Sequence, residues 1–341
     1  MSPIRLPMEP PRACLPSLLL SLLLGVSAIP GVRAQTGARA LIQTRGTLLR
    51  AGVMGGGARM RLERAQGGDT PVLSFQSSRG PVRLLLDTGA ATTMVTGELA
   101  GRLGLTARPL APEEFSMAGG GADCPTMPLS RTEVPALELA GRGGGGPGLR
   151  LEGLEALVIP GAALPPKVDG VLGASALRQR PVLVDPVEQI VAIGEPALQW
   201  RRRLRSPSKV VALSWRRGVP LLPLRIQPGA GGPPETLLAL ADTGAEGMFL
   251  TPALARRLTP LQAPQPARLV GVCGLQEVSR QPLFGIAIGA EGPARESVDA
   301  ILLANPVFAL LEVEAIVGQE LLRGRRQLWR LEANPPRLEI W

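Results

Sequence analysis

Two tetrads, Asp87-Thr88-Gly89-Ala90 and Asp242-Thr243-Gly244-Ala245, hold the residues of this 341-residue sequence best suited to chemistry. Composition narrows what that chemistry can be. The sequence has no histidine and no tyrosine, and its only lysines are Lys167 and Lys209. A Ser-His-Asp triad, a Cys-His pair and a histidine-ligated metal site are thereby excluded. General acid–base work falls mainly to Asp and Glu, so catalysis by carboxylates is the leading option. No metal and no cofactor is expected. A single Asp-Thr-Gly fits an ordinary strand–turn corner, because all three residues form turns readily. Recurrence in matching surroundings is what makes it a candidate site.

The surroundings match in order along the chain. Val82-Arg83-Leu84-Leu85-Leu86 leads into the first tetrad and Leu237-Leu238-Ala239-Leu240-Ala241 into the second, with Met94-Val95 and Met248-Phe249-Leu250 beyond them. Strand-like segments, 72–75 and 222–226, precede each. Short helical segments are expected over 98–103 and 252–258, with Thr251 as N-cap and Pro252 at the first helical position. Glycine-rich stretches at 117–121 and 270–274 suit hairpin tips, where glycine tolerates positive φ. Val171-Leu172-Gly173 and Ile316-Val317-Gly318 then precede further short helices, and strand-like pieces at 182–184, 190–193, 328–331 and 338–341 close each half. Short strands bounded by Gly and Pro predict two mostly β lobes.

The domain reading is a signal peptide at 1–34, a flexible N-terminal tail or pro-segment at 35–69, an N-terminal lobe at 70–198, a basic linker at 199–210 and a C-terminal lobe at 211–341. In the first segment Arg5 and Arg12 precede an apolar run, Pro30-Gly31 break it, and Val32-Arg33-Ala34 offers small residues at −3 and −1 of a cleavage site. The run is shorter than the roughly 20 residues a membrane span needs. The expectation is an exported protein, periplasmic or extracellular, without stable membrane insertion after cleavage; an uncleaved anchor is the alternative. Cleavage leaves Cys124 and Cys273 as the thiols, and whether they pair stays open. The glycine tract 141–148 reads as a surface loop.

With these residues in place, the chain resembles the retropepsin-type branch of the aspartic proteases, with two lobes fused as in the pepsin-like enzymes. The resemblance covers about residues 70–341. It implies a mostly β fold of two tandem acid-protease β-barrel lobes related by pseudo-twofold symmetry, with the active site at their interface. It implies that Asp87 and Asp242 face each other and hold a water, sharing a proton because two touching carboxylates cannot both ionise cheaply. Thr88 and Thr243 would bond to the opposite lobe, and Gly89 and Gly244 would let backbone approach the carboxylates and offer N–H donors. Ala90 and Ala245 stand where pepsin-like enzymes often carry a hydroxyl; without it the carboxylates should be easier to protonate, which predicts a mildly acidic optimum. The flaps would lie at 118–124 and 271–276, with Gly119, Gly120, Gly121, Gly271, Val272 and Gly274 at their tips. Lacking tyrosine, these match glycine flaps of the retropepsin type. Two motifs in one chain imply a monomer acting on a polypeptide substrate.

The formal charge of +9 invites a nucleic-acid reading, but aromatic residues are 3% and the arginines are scattered apart from 201–205. No concentrated basic patch with stacking residues emerges, so no nucleic-acid partner is expected. Two rivals to catalysis remain: an exported peptide-binding protein that keeps the fold without the activity, and a basic envelope-structural protein.

Overall fold

The computed structural model describes residues 35–36, 41–113, 115–119, 129–139, 148–161, 164–229, 231–271 and 274–341. The expected signal peptide, Cys124, Cys273, most of the glycine tract, and flap residues Gly120, Gly121 and Val272 lie outside them.

Each half builds one large β-sheet with the same strand order. In the first it runs Pro71–Ser77, Gly80–Leu86, Gly170–Leu172, Met94–Thr96, Leu149–Ile159, Leu129–Val134. In the second it runs Val219–Ile226, Glu235–Ala241, Ala315–Val317, Met248–Leu250, Glu296–Leu302, Gly274–Ile288. The directions agree as well. Gly170–Leu172 lies parallel to Gly80–Leu86 and antiparallel to Met94–Thr96. Ala315–Val317 repeats this between Glu235–Ala241 and Met248–Leu250. The strand entering each Asp-Thr-Gly turn and the strand leaving it are therefore not neighbours. A short strand from much later in the chain is wedged between them, which explains why an apolar-apolar-Gly segment recurs downstream of each tetrad. These central strands are covered on both faces, so they read as continuous apolar runs rather than alternating ones.

A third sheet joins the halves. Its order is Lys209–Ala212, Arg337–Ile340, Gln327–Arg330, Val182–Asp185, Ile190–Ile193, Ala58–Arg61. Three strands come from each half, and the central pairing sets Val182 opposite Trp329. Trp329 is fully buried. Asp185, also fully buried, accepts from Arg326 Nε at 3.0 Å and Trp200 Nε1 at 3.1 Å. That arrangement satisfies a carboxylate whose burial unpaired would be costly.

Two expectations about segment boundaries need correction. Residues 41–64 are not a tail: Leu41–Arg45, Ala51–Gly55, Ala58–Arg61 and Glu63–Arg64 are strands paired into the sheets. Nor is 199–210 a simple linker. The helix Glu195–Arg201 runs into it and the strand Lys209–Ala212 leaves it. Its arginines are engaged, Arg201 with Glu339 at 3.1 Å, Arg202 with Glu195 at 2.9 Å, and Arg203 over the ring of Trp200. The short helices fall close to expectation, at Gly97–Arg102 and Pro252–Ala255, and Thr251 does cap the second by accepting from Leu254 N–H at 3.1 Å.

Candidate active site

Both tetrads sit at the end of a buried strand, and both aspartates are fully buried. Register explains the placement: Leu86 pairs with Leu172 and Ala241 with Val317, so each turn springs from beside the end of the wedged strand. The Asp87 amide donates to Leu172 O and the Asp242 amide to Val317 O. Gly173 and Gly318 follow directly and touch the turns from behind. A Cβ built on Gly173 would lie 2.4 Å from Thr92 O, and one on Gly318 2.4 Å from Ala245 O. Any larger residue there would push the turn out of place.

Within each turn the carboxylate is held by backbone. Asp87 Oδ1 accepts from the amides of Gly89 at 2.8 Å and Ala90 at 3.1 Å. Asp242 Oδ1 accepts from Gly244 and Ala245 at the same two distances. Amide donors stabilise the ionised form and fix the other oxygen's direction.

The two turns meet through their threonines. Thr88 N–H donates to Thr243 Oγ1 and Thr243 N–H to Thr88 Oγ1, each at 3.0 Å. Each hydroxyl then donates onward across the joint, Thr88 to Ala241 O at 2.6 Å and Thr243 to Leu86 O at 2.8 Å. Both side chains are essentially buried, so the four bonds close a polar network with no water needed. The glycines complete the reciprocity. A Cβ built on Gly89 would lie 2.2 Å from Asp242 Cγ, and one on Gly244 would lie 2.2 Å from Asp87 Cγ. Each glycine thus faces the opposite carboxylate, and the two acids are brought to one place from residues far apart in sequence.

Of the expected flap residues, Gly119 ends the strand Ser116–Gly119, and Gly271 and Gly274 are register partners in the antiparallel pairing of Gln265–Gly271 with Gly274–Ile288. Asn305 Nδ2 donates to Gly119 O at 3.0 Å while its Oδ1 caps the helix Pro306–Leu311, tying the strand Ser116–Gly119 to the second half.

Glu246 escaped the sequence reading. It accepts from the Asp69 amide at 2.6 Å, the Thr70 amide at 3.1 Å and the Thr70 hydroxyl at 2.5 Å. Gln319 also escaped it, and donates from Nε2 to Thr243 O at 2.7 Å. A usable signal existed for the first: an acid directly after Asp-Thr-Gly-Ala where the other copy has Ala91.

Residues 74–176, which contain the first turn and Gly173 beneath it, match the family described as aspartyl protease. Over this stretch the chain is similar to the retropepsin-like aspartic proteases. No curated protein matches the chain. Among solved structures it is similar to conglutin gamma, a basic 7S globulin from lupine seeds, at 12% identity and a TM-score of 0.46, covering 83% of this chain and 94% of that one. It is also similar to the basic 7S globulin from soybean, at 11% identity and 0.44, with the same coverages.

Proposed function

We propose that the chain is an aspartic endopeptidase that hydrolyses peptide bonds with a water activated by Asp87 and Asp242. The supporting observation is the reciprocal approach of Gly89 to the Asp242 carboxylate and of Gly244 to the Asp87 carboxylate. Two carboxylates so placed hold one proton between them. The ionised member takes a proton from water as its oxygen attacks the scissile carbonyl carbon, and the protonated member hydrogen-bonds the carbonyl oxygen. Collapse of the tetrahedral intermediate breaks the C–N bond, with a proton delivered to the leaving nitrogen. Neither a covalent intermediate nor a metal takes part. The threonine network keeps the acids in register, so little reorganisation accompanies the reaction.

The protein acts as a monomer on polypeptides, because both halves of the site are carried by one chain, and the signal-peptide pattern of its first 34 residues directs its export. Purified Asp87→Asn is the decisive variant: cleavage of a peptide library equal to that of the parent would end the catalytic reading in favour of a peptide-binding one. Because Ala90 and Ala245 bring no hydroxyl to the acids, the pH–rate profile should peak in the mildly acidic range; a peak below about pH 3 would contradict this assignment.

A further inference from the structure

The six-stranded sheet that joins the halves ends on the strand Ala58–Arg61, which pairs on one side with Ile190–Ile193. The Leu62 amide donates to Gln189 O at 2.8 Å, and the antiparallel register sets Met60 opposite Val191 and Ala58 opposite Ile193. Hydrogen-bonded and non-hydrogen-bonded pairs alternate along such a ladder. Residues 58, 60 and 62 therefore direct their backbone groups at the neighbouring strand, and Arg59 and Arg61 direct theirs at the open edge. Among the described residues nothing bonds to those outward amides and carbonyls. An open edge of this kind is a template for another chain.

The side chains at the edge select what that chain can be. Arg59 stands opposite Ala192 and Arg61 opposite Ile190, so both arginines lie on one face of the sheet. Neither guanidinium has a carboxylate partner among the described residues. Arg59 lies 5.5 Å from the centre of the Trp200 ring, Arg203 lies 5.4 Å from it, and Arg61 is exposed. A groove of about 500 Å³ opens here, lined by Arg59, Met60, Arg61, Glu188, Ile190 and Trp200. Its acid, Glu188, is engaged by Arg326 at 3.6 Å. A second copy of the chain paired antiparallel across Met60 would set Arg59 of each copy against Arg61 of the other. Like charges directly opposite are destabilising, so the occupant must carry the opposite charge.

We propose that the open edge of Ala58–Arg61 binds an acidic polypeptide partner as an added antiparallel strand. Carboxylates on alternate residues of the partner lie opposite Arg59 and Arg61, and an apolar residue between them lies beside the half-buried Met60. Main-chain bonds supply the affinity and the alternating side chains the specificity. The site uses neither Asp87 nor Asp242, so it stands or falls independently of the peptidase reading.

The full chain carrying Asp87→Asn, chosen so that no probe is cut, is titrated with a fluorescent, end-blocked peptide Thr-Val-Asp-Val-Asp-Val-Thr, and anisotropy is read. Binding should be saturable and should weaken about tenfold or more in Arg61→Glu, an exposed position whose change leaves the core intact. Arg59→Ala should weaken it in the same direction. Methylating the two Asp amides of the peptide, which would donate to Arg59 O and Arg61 O, should weaken binding about tenfold as well. The scrambled peptide Thr-Asp-Asp-Val-Val-Val-Thr keeps the charge but loses the alternation, and should bind more weakly than the parent peptide. Hydrogen exchange at the amides of residues 59–61 should slow when the parent peptide is added. No saturable binding, or Arg61→Glu binding as tightly as the parent chain, would overturn the proposal. So would scrambled and methylated peptides that bind as tightly as the parent peptide while anionic lipid vesicles compete, which would make the patch a general anion-binding surface.

Discussion

Asp87 and Asp242 accept the same pair of amide hydrogen bonds, yet the side chains that brace their turns differ. In the first half Ala91 follows the tetrad and packs against the second half, where a Cβ built on Gly218 would lie 3.4 Å from its own. In the second half Glu246 occupies that place and gathers the Asp69 amide, the Thr70 amide and the Thr70 hydroxyl. Below the turns the same contrast recurs. The Ala174 amide donates to Ala90 O and the Gln319 amide to Ala245 O, but Gln319 alone adds a side-chain bond, to Thr243 O. Backbone symmetry is thus kept where the acids must meet, while side-chain support is free to diverge. One turn is braced by packing and the other by polar contacts.

Asparagine at each aspartate in turn tests the symmetric part. Cleavage should fall by about 10² to 10⁴-fold for both Asp87→Asn and Asp242→Asn, the span associated with loss of positioned acid–base groups. Markedly unequal losses in kcat would show that the halves do not share the chemistry evenly.

The threonines come next. Thr88→Val strips the partner from Thr243 N–H and Ala241 O, and Thr243→Val does the same to Thr88 N–H and Leu86 O. Each orphaned buried group costs about 1 to 3 kcal/mol, so chemical denaturation should show similar losses for both variants. The double variant should lose less than the two single losses added together, because the four bonds form one network.

Glu246→Ala probes the asymmetric part. It leaves the Asp69 and Thr70 amides without their acceptor and the Thr70 hydroxyl with Gly244 O at 3.4 Å, and about 1 to 3 kcal/mol of stability should go with it. Glu246→Gln should restore part of this, since its amide oxygen still accepts; equal loss for both would mean that charge rather than hydrogen bonding matters there. The smallest effect is expected at Glu155, whose pKa is held below the ordinary carboxylate value, chiefly by the Arg50 amide and then by the Arg50 and Arg131 charges. A depressed carboxylate contributes stability at pH above its unfolded value and loses it as pH falls through its folded one. Glu155→Gln should therefore destabilise by less than about 1 kcal/mol near neutrality, and parent and variant should converge on acidification.

Much of the local structure was readable because its causes are local. Thr251-Pro252 capped a helix where the side-chain chemistry required it, and the apolar runs before each tetrad became central strands. Residues 41–64 were misread for the opposite reason. Their strands carry several arginines, and the partners of three of the four lie far along the chain, as Ala58 does from Ile193. No local period records such a pairing. Glu246 itself stands out beside its tetrad, but its partners lie 176 and 177 residues upstream, and nothing in the local sequence announces them.

The sequence alone determined that any acid–base chemistry would fall mainly to carboxylates, since it supplies no histidine, and that one Asp-Thr-Gly-Ala turn is written twice. Tertiary structure decided the rest. Only folding sets Gly89 against the Asp242 carboxylate and Gly244 against that of Asp87, and only folding pairs Gln35–Thr36 with Gln265–Gly271 and Leu41–Arg45 with Ser116–Gly119. Contacts between residues more than a hundred positions apart are fixed by packing and by pairing of backbone groups that every residue carries, and neither leaves a mark in the local order of amino acids.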